Sequence, residues 1–192
     1  STKIRAVFDA SAKSASNVSL NDILLVGPTI HSSLIDVLLR FRLYRIALTA
    51  DVSKMYRAIG LVEADRDLHR FVWRSDPDKP LQDYRMTRLT FGVSASSFAA
   101  NMSVKRNALD HALEFPKAAA IVESSFYVDD CLTGANSAQE AIDIHQQLLN
   151  LFSNGGFLLR KWNCSDPEVL QHIQPEYRDA QSTHCIQGPD EY

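Results

Sequence analysis

No uninterrupted apolar run in this chain approaches the ~20 residues that a membrane-spanning helix needs. The longest candidates are broken by Arg40, Arg42, Arg45 and Asp51, so no membrane partner is expected. An initiator Met and an apolar leader are also missing. The chain opens at Ser1, directly before the strand-like Lys3-Ile4-Arg5-Ala6-Val7-Phe8, and reads as a piece cut from a longer polypeptide. Cysteine is scarce: Cys131, Cys164 and Cys185 make no CxxC pair and leave one over, which points to free thiols in a reducing, intracellular compartment. His172 and His184, taken with Cys164 and Cys185, match no zinc-ligand spacing. There is no basic excess either. The net charge of −3 argues against a broad electrostatic grip on nucleic acid and leaves room for a local basic groove. Internal repeats, low-complexity tracts and clear linkers are absent. What remains is ordinary globular composition, 45% hydrophobic and 22% charged, over 192 residues that suffice for one good core or two small lobes.

Against this background one stretch is chemically conspicuous, Phe126-Tyr127-Val128-Asp129-Asp130. Ala120-Ile121-Val122 and Phe126-Tyr127-Val128 read as strand formers, and Leu132-Thr133-Gly134 follows, so the acids are predicted at a tight β-hairpin tip. Asp51 stands directly after Ile46-Ala47-Leu48-Thr49-Ala50, where a buried strand would end. Three carboxylates within about 5 Å of one another would repel by roughly 3 kcal/mol per pair at an effective dielectric of 20. Such an arrangement needs cations; magnesium is the natural one, with a nucleoside triphosphate as its substrate. Neighbours in extended backbone point opposite ways, so Asp129 and Asp130 cannot be equivalent ligands, and Asp129 ranks first.

The local signals predict an α+β fold. Residues 3–8 read as a strand and 9–21 as a loop. A helix capped by Ser32 or Ser33, with Leu34, Val37, Leu38 and Phe41 as its stripe, precedes the strand 46–51. Glu63 to Asp67 reads as a charged turn, then His69 to Trp73 and Tyr84 to Phe91 as a strand pair around a Pro-bearing tip. Residues 94–115 suit one helix stopped by Pro116. Ser137 and Glu140 form a capping box for a helix with the stripe Ala141, Ile144, Leu148, Leu151 and Phe152, ended by Gly155-Gly156. Phe157 to Trp162 is the last strand, and the end from Ala180 reads as a frayed tail. Two helices against one antiparallel sheet is the split βαβ, ferredoxin-like arrangement, which would put Asp51 and the hairpin tip on neighbouring strands.

Leu48-Thr49-Ala50-Asp51-Val52-Ser53-Lys54-Met55-Tyr56, Leu89-Thr90-Phe91-Gly92-Val93, Tyr127-Val128-Asp129-Asp130, and Gly155-Gly156-Phe157 with Arg160-Lys161-Trp162 together resemble the ordered palm motifs of reverse transcriptases. Val7-Phe8-Asp9-Ala10-Ser11-Ala12-Lys13 and Leu20-Asn21-Asp22-Ile23-Leu24-Leu25 look most like the BEL/Pao group of LTR retrotransposons. The resemblance implies a palm built on residues 27–60 and 94–180, a fingers segment over 1–26 and a fingers hairpin over 61–93. Residues 181–192 would be the tail, and a thumb would be absent from this stretch.

The same resemblance implies roles. Asp51 and Asp129 would be the principal ligands of two Mg²⁺ ions, replaceable by Mn²⁺, with Asp130 and the Val52 backbone beside them. The backbone from Val52 to Met55 would face the triphosphate. Tyr56 would sit under the incoming sugar and exclude a 2′-hydroxyl by shape, while Phe91-Gly92 would be a close-approach point beside the nucleotide. Lys3 and Arg5 would contact phosphates, and Lys161 matches the position proposed to protonate pyrophosphate. Tyr127, Lys105, Arg106 and Arg160 would line the groove for an RNA or DNA template and its primer. Retroviral enzymes carry an arginine shortly after the position of Asp9; Ala10-Ser11 stand here, so triphosphate binding leans on other cations. Implied partners are dNTPs and the remaining polyprotein domains (thumb, RNase H, protease, integrase), in the cytoplasmic particles of a retrotransposon.

Two readings of other classes stand beside this one. A non-catalytic RRM-like nucleic-acid-binding module would explain the topology, but the aromatic RNP pattern is missing. In an inactive relic, Asp129-Asp130 would be turn chemistry alone. A nucleotide cyclase on a similar palm lacks its Gly-Gly-Asp-Glu-Phe signature.

Overall fold

A computed structural model describes residues 8–179 of the chain. Its strands are β1 (Ile46–Val52), β2 (Arg70–Trp73), β3 (Gln82–Arg85), β4 (Phe126–Tyr127), β5 (Asp130–Ala135) and β6 (Leu159–Cys164). Its helices are α1 (Leu20–Ile23), α2 (Leu34–Phe41), α3 (Met55–Ala58), α4 (Ser96–Asp110), α5 (Pro116–Ser124), α6 (Ala138–Asn154) and α7 (Pro167–His172). The chain divides into two compact units, Ser1–Ile30 with Lys54–Ser103, and His31–Ser53 with Val104–Tyr192. None of the described helices is long and apolar enough to cross a membrane.

In the second unit the strands form one antiparallel sheet in the order β4-β5-β1-β6, the connectivity of a split βαβ motif. Alternation along β1 turns Leu48, Ala50 and Val52 inward, where all are buried. Helix α6 packs across β5, β1 and β6 and buries Ala141, Ile144, Leu148, Leu151 and Phe152, the expected stripe, together with His145. Phe152 stacks on Phe126 at 5.3 Å between ring centroids and meets Phe157 edge-on at 6.1 Å. Cys131 is fully buried, which pushes its thiol far above the ordinary range, and Cys164 is also free. Cys185 and His184 lie outside the described residues.

The predicted caps mark real helix starts. Ser33 Oγ accepts from Asp36 N at the head of α2, although Val37 is the one fully buried member of the expected stripe there. Ser137 Oγ accepts from Glu140 N, but the Glu140 carboxylate turns back to Asn136 N, so only half of the expected capping box forms. One element differs in kind. Ala120-Ile121-Val122 belong to helix α5, which Pro116 begins, and the helix before it, α4, stops at Asp110 instead of running on to the expected Phe115. Its missing N–H is no loss at a helix N-terminus, and Ala118, Ile121 and Val122 share one buried helical face.

In the first unit, β2 and β3 pair as an antiparallel ribbon with Phe71 opposite Tyr84 and the rings stacked at 5.6 Å; Phe8 meets Phe71 edge-on at 5.2 Å. The second strand ends at Arg85, short of the expected Phe91. Beyond it the backbone turns to other partners, Leu61 N to Thr87 O at 2.9 Å and Leu89 N to Ile59 O at 3.1 Å. The expected charged turn is a 3₁₀ helix, Glu63–His69, and Ser19 and Asp22 cap α1 reciprocally. The expected strand 3–8 and the tail from Ala180 fall outside the described residues, apart from Phe8.

Candidate active site

The carboxylates come together through strand pairing. Asp51 lies directly opposite Asp130 in the β1–β5 ladder. Val52 N donates to Asp129 O at 2.8 Å, which makes Asp51 and Asp130 a non-hydrogen-bonded pair. In such a pair the Cα atoms are about 4.5 Å apart and the side chains leave the same face of the sheet. That face is opposite the one on which Leu48, Ala50 and Val52 are buried. Tyr127 pairs with Asp130, so Val128-Asp129 is a two-residue hairpin turn, as expected. Val128 takes φ +57°, a left-handed conformation that a β-branched residue rarely adopts.

The cation nearest these acids arrives from the other side of β1. Lys161 Nζ donates to Asp51 Oδ2 at 2.9 Å. The β1–β6 register shifts between Thr49, paired with Asn163, and Asp51, paired with Arg160. This bulge sends Trp162 into the core, where it is completely buried, and Lys161 to the outer face. A cavity of about 310 Å³ opens there, lined by Thr49, Asp51, Asp130, Leu132, Lys161 and Asp179. Asp179 escaped the sequence reading. It is delivered by a bridge of Arg178 to Trp162 and a hydrogen bond from Asp179 N to Trp162 O at 2.9 Å, a pairing with no local signature.

Burial raises the Asp130 carboxyl above its ordinary range, and the negative charges of Asp129 and Asp51 add to the effect; Lys161 opposes it. The hydrogen bond and charge of Asp51 hold the Lys161 ammonium above its ordinary range. Among the described residues no three His, Cys, Asp or Glu side chains stand grouped to hold a metal ion as they are. The donor chemistry nevertheless suits a hard divalent cation. Carboxylate oxygens are its preferred ligands, and Asp51 and Asp130 face each other across the ladder with Asp129 next in the chain.

The other expected residues are distributed more widely. In the second unit, Tyr127 packs edge-on against His31 at 4.9 Å and Arg160 lies 6.0 Å from the Tyr177 ring centre. Arg106 is turned to Asp110 of its own helix at 2.7 Å, and half-buried Lys105 does not line the carboxylate cavity. In the first unit, the Tyr56 and Phe91 rings pack at 4.7 Å and Met55 is buried. Gly92 has φ +89°, and a Cβ there would lie 2.0 Å from Phe8 O, so its bareness already serves a close approach of the chain's own backbone. Lys3 and Arg5 lie outside the described residues.

No family model matches the sequence, and no curated protein matches it. Solved structures do match. The foamy viral protease-reverse transcriptase in complex with RNA/DNA hybrid superposes at TM-score 0.57 and 18% identity, over 73% of this chain and 17% of that one. The foamy viral protease-reverse transcriptase dRH in complex with ds DNA does so at 0.57 and 19% identity, over 73% and 22%. A prototype foamy virus protease-reverse transcriptase mutant gives 0.57 and 15% identity, over 77% and 19%. This chain therefore spans about a fifth of the length of each. It shares with these reverse transcriptases a mixed α/β fold built on an antiparallel sheet.

Proposed function

We propose that the chain is the palm and part of the fingers of an RNA-directed DNA polymerase from a BEL/Pao-type retroelement. It would join dNTPs to a primer 3′-hydroxyl on an RNA or DNA template. The observation that carries this reading is the pairing of Asp51 with Asp130, next to Asp129, on the outer face of a sheet whose fold is like that of reverse transcriptases. Support for nucleic acid as the partner comes from two of those structures, which hold an RNA/DNA hybrid and a DNA duplex.

In this reading Asp51 and Asp129 are the main ligands of two Mg²⁺ or Mn²⁺ ions, with Asp130 and the Val52 backbone beside them. Bound there, such ions supply activation of an attacking hydroxyl and neutralisation of triphosphate charge. The remaining roles belong to the chain's own side chains. The exposed Lys161 ammonium offers a proton on the leaving-group side, and the Tyr56 ring restricts the sugar to deoxyribose. Arg160 and Tyr127 hold the template-primer. The thumb, RNase H, protease and integrase belong to the rest of the parent polyprotein.

The test is Mg²⁺-dependent extension of a DNA primer on an RNA template, with Asp129→Asn as control and a longer form of the polypeptide alongside. Extension that disappears in Asp129→Asn establishes the reading. Activity in the longer form alone identifies an incomplete enzyme, and silence in both refutes catalysis in favour of a relic.

A further inference from the structure

Lys161 occupies an unusual backbone position for its type. At the β1–β6 bulge, Ala50 faces both Lys161 and Trp162, and Lys161 carries φ +53°, the left-handed conformation for which glycine is the natural occupant. Among the described residues of the second unit, Val128 and Lys161 are the two non-glycine residues with positive φ, and they flank Asp51, Asp129 and Asp130. Strain at such a place raises the question of what the side chain does there. What the Lys161 side chain does is reach Asp51 Oδ2 at 2.9 Å.

Exposure gives this contact direction. The Asp51 side chain is 20% exposed and that of Lys161 63% exposed, so the carboxylate is sheltered while the ammonium rides on a long stem in solvent. One partner is fixed and the other is free to leave. Without a cation, Asp51, Asp129 and Asp130 would place three anions at adjoining positions, and the Lys161 ammonium is the positive charge in contact with one of them.

We propose that Lys161 is a built-in stand-in for the divalent cation, neutralising Asp51 in the metal-free protein and giving up that carboxylate when the cation binds. The inference rests on the reading of Asp51 as a metal ligand and adds a competition to it. The ion must displace an ammonium already in place, so the empty site stays assembled at the expense of cation affinity. Backbone strain at the bulge is retained because glycine, although better suited to the conformation, carries no ammonium.

The test is Mn²⁺ binding to the full chain without nucleotide or nucleic acid, followed by electron paramagnetic resonance for wild type, Lys161→Met, Lys161→Gly and Lys161→Arg. Removing a unit charge from beside a dication is worth roughly a 5- to 10-fold change at solvent-exposed dielectric. Lys161→Met and Lys161→Gly are therefore expected to bind about 5- to 10-fold more tightly, and Lys161→Arg like wild type. Lys161→Gly suits the left-handed backbone, so a tighter site there cannot be attributed to a damaged bulge. In parallel, the ¹⁵N signal of the Lys161 ammonium is expected to move on Mg²⁺ addition towards that of a solvated lysine. If wild type binds Mn²⁺ and neither neutral variant binds more tightly, the stand-in role is overturned while the metal reading stands. If no form binds Mn²⁺, both fall together.

Discussion

His145 makes the second unit sensitive to acid. It lies on α6 and is 6% exposed, with its ring edge-on to Trp162 at 4.6 Å. His145 Nε2, Trp162 Nε1 and Thr133 Oγ1 all lack a hydrogen-bond partner, so a proton on the imidazole would bring a buried charge with no acceptor for Nε2. Burial accordingly lowers its pKa from 6.5 to about 4. The unfolded chain then binds a proton that the folded one refuses, so stability falls as pH drops below 6.5 and levels off near 4. Across that window the loss reaches roughly 3 kcal/mol, with a slope of up to about 1.4 kcal/mol per pH unit. Trp162 adjoins Lys161 in the chain, so loosening this contact would also reach the strand that faces Asp51. Urea unfolding of wild type and His145→Leu at several pH values between 7 and 4 measures the effect. The variant is expected to keep its stability through the interval in which wild type weakens. Parallel profiles for the two proteins would refute the reasoning, because the acid sensitivity would then come from other groups.

Two backbone substitutions are expected to act in opposite directions. Gly134→Ala places a Cβ 2.4 Å from Ile46 O and 2.5 Å from Tyr44 Cβ, a clash with backbone across the central strands that should lower stability by about 1–3 kcal/mol in denaturant titration. Val128→Gly relieves the positive φ at the hairpin turn. The strain removed, about 1–2 kcal/mol, exceeds the added chain entropy of glycine, so a net gain of about 0.5–1 kcal/mol is expected in the same measurement.

Local chemistry made much of the fold legible. Ser33 and Ser137 announce helix starts because a cap is a contact between residues a few positions apart. The period-3.6 stripe of α6 and the apolar run of β1 announce burial for the same reason. The misread segment, Ala120-Ile121-Val122, is the kind of short apolar run whose periodicity suits a strand and a buried helix equally. There the bare N1 position at Pro116 and a helical face closed by Ala118 decided in favour of helix.

The candidate site divides along the same line. The identities of Asp51, Asp129 and Asp130, the hairpin that carries two of them, and the strand that ends in the third follow from residue type and near-neighbour spacing. The register that sets Asp51 against Asp130, the bulge that aims Lys161 at Asp51, and the arrival of Asp179 in the same cavity do not. These depend on pairing between segments far apart in the chain. A one-residue change of register would turn every side chain of a strand to the opposite face, and no local propensity encodes that choice.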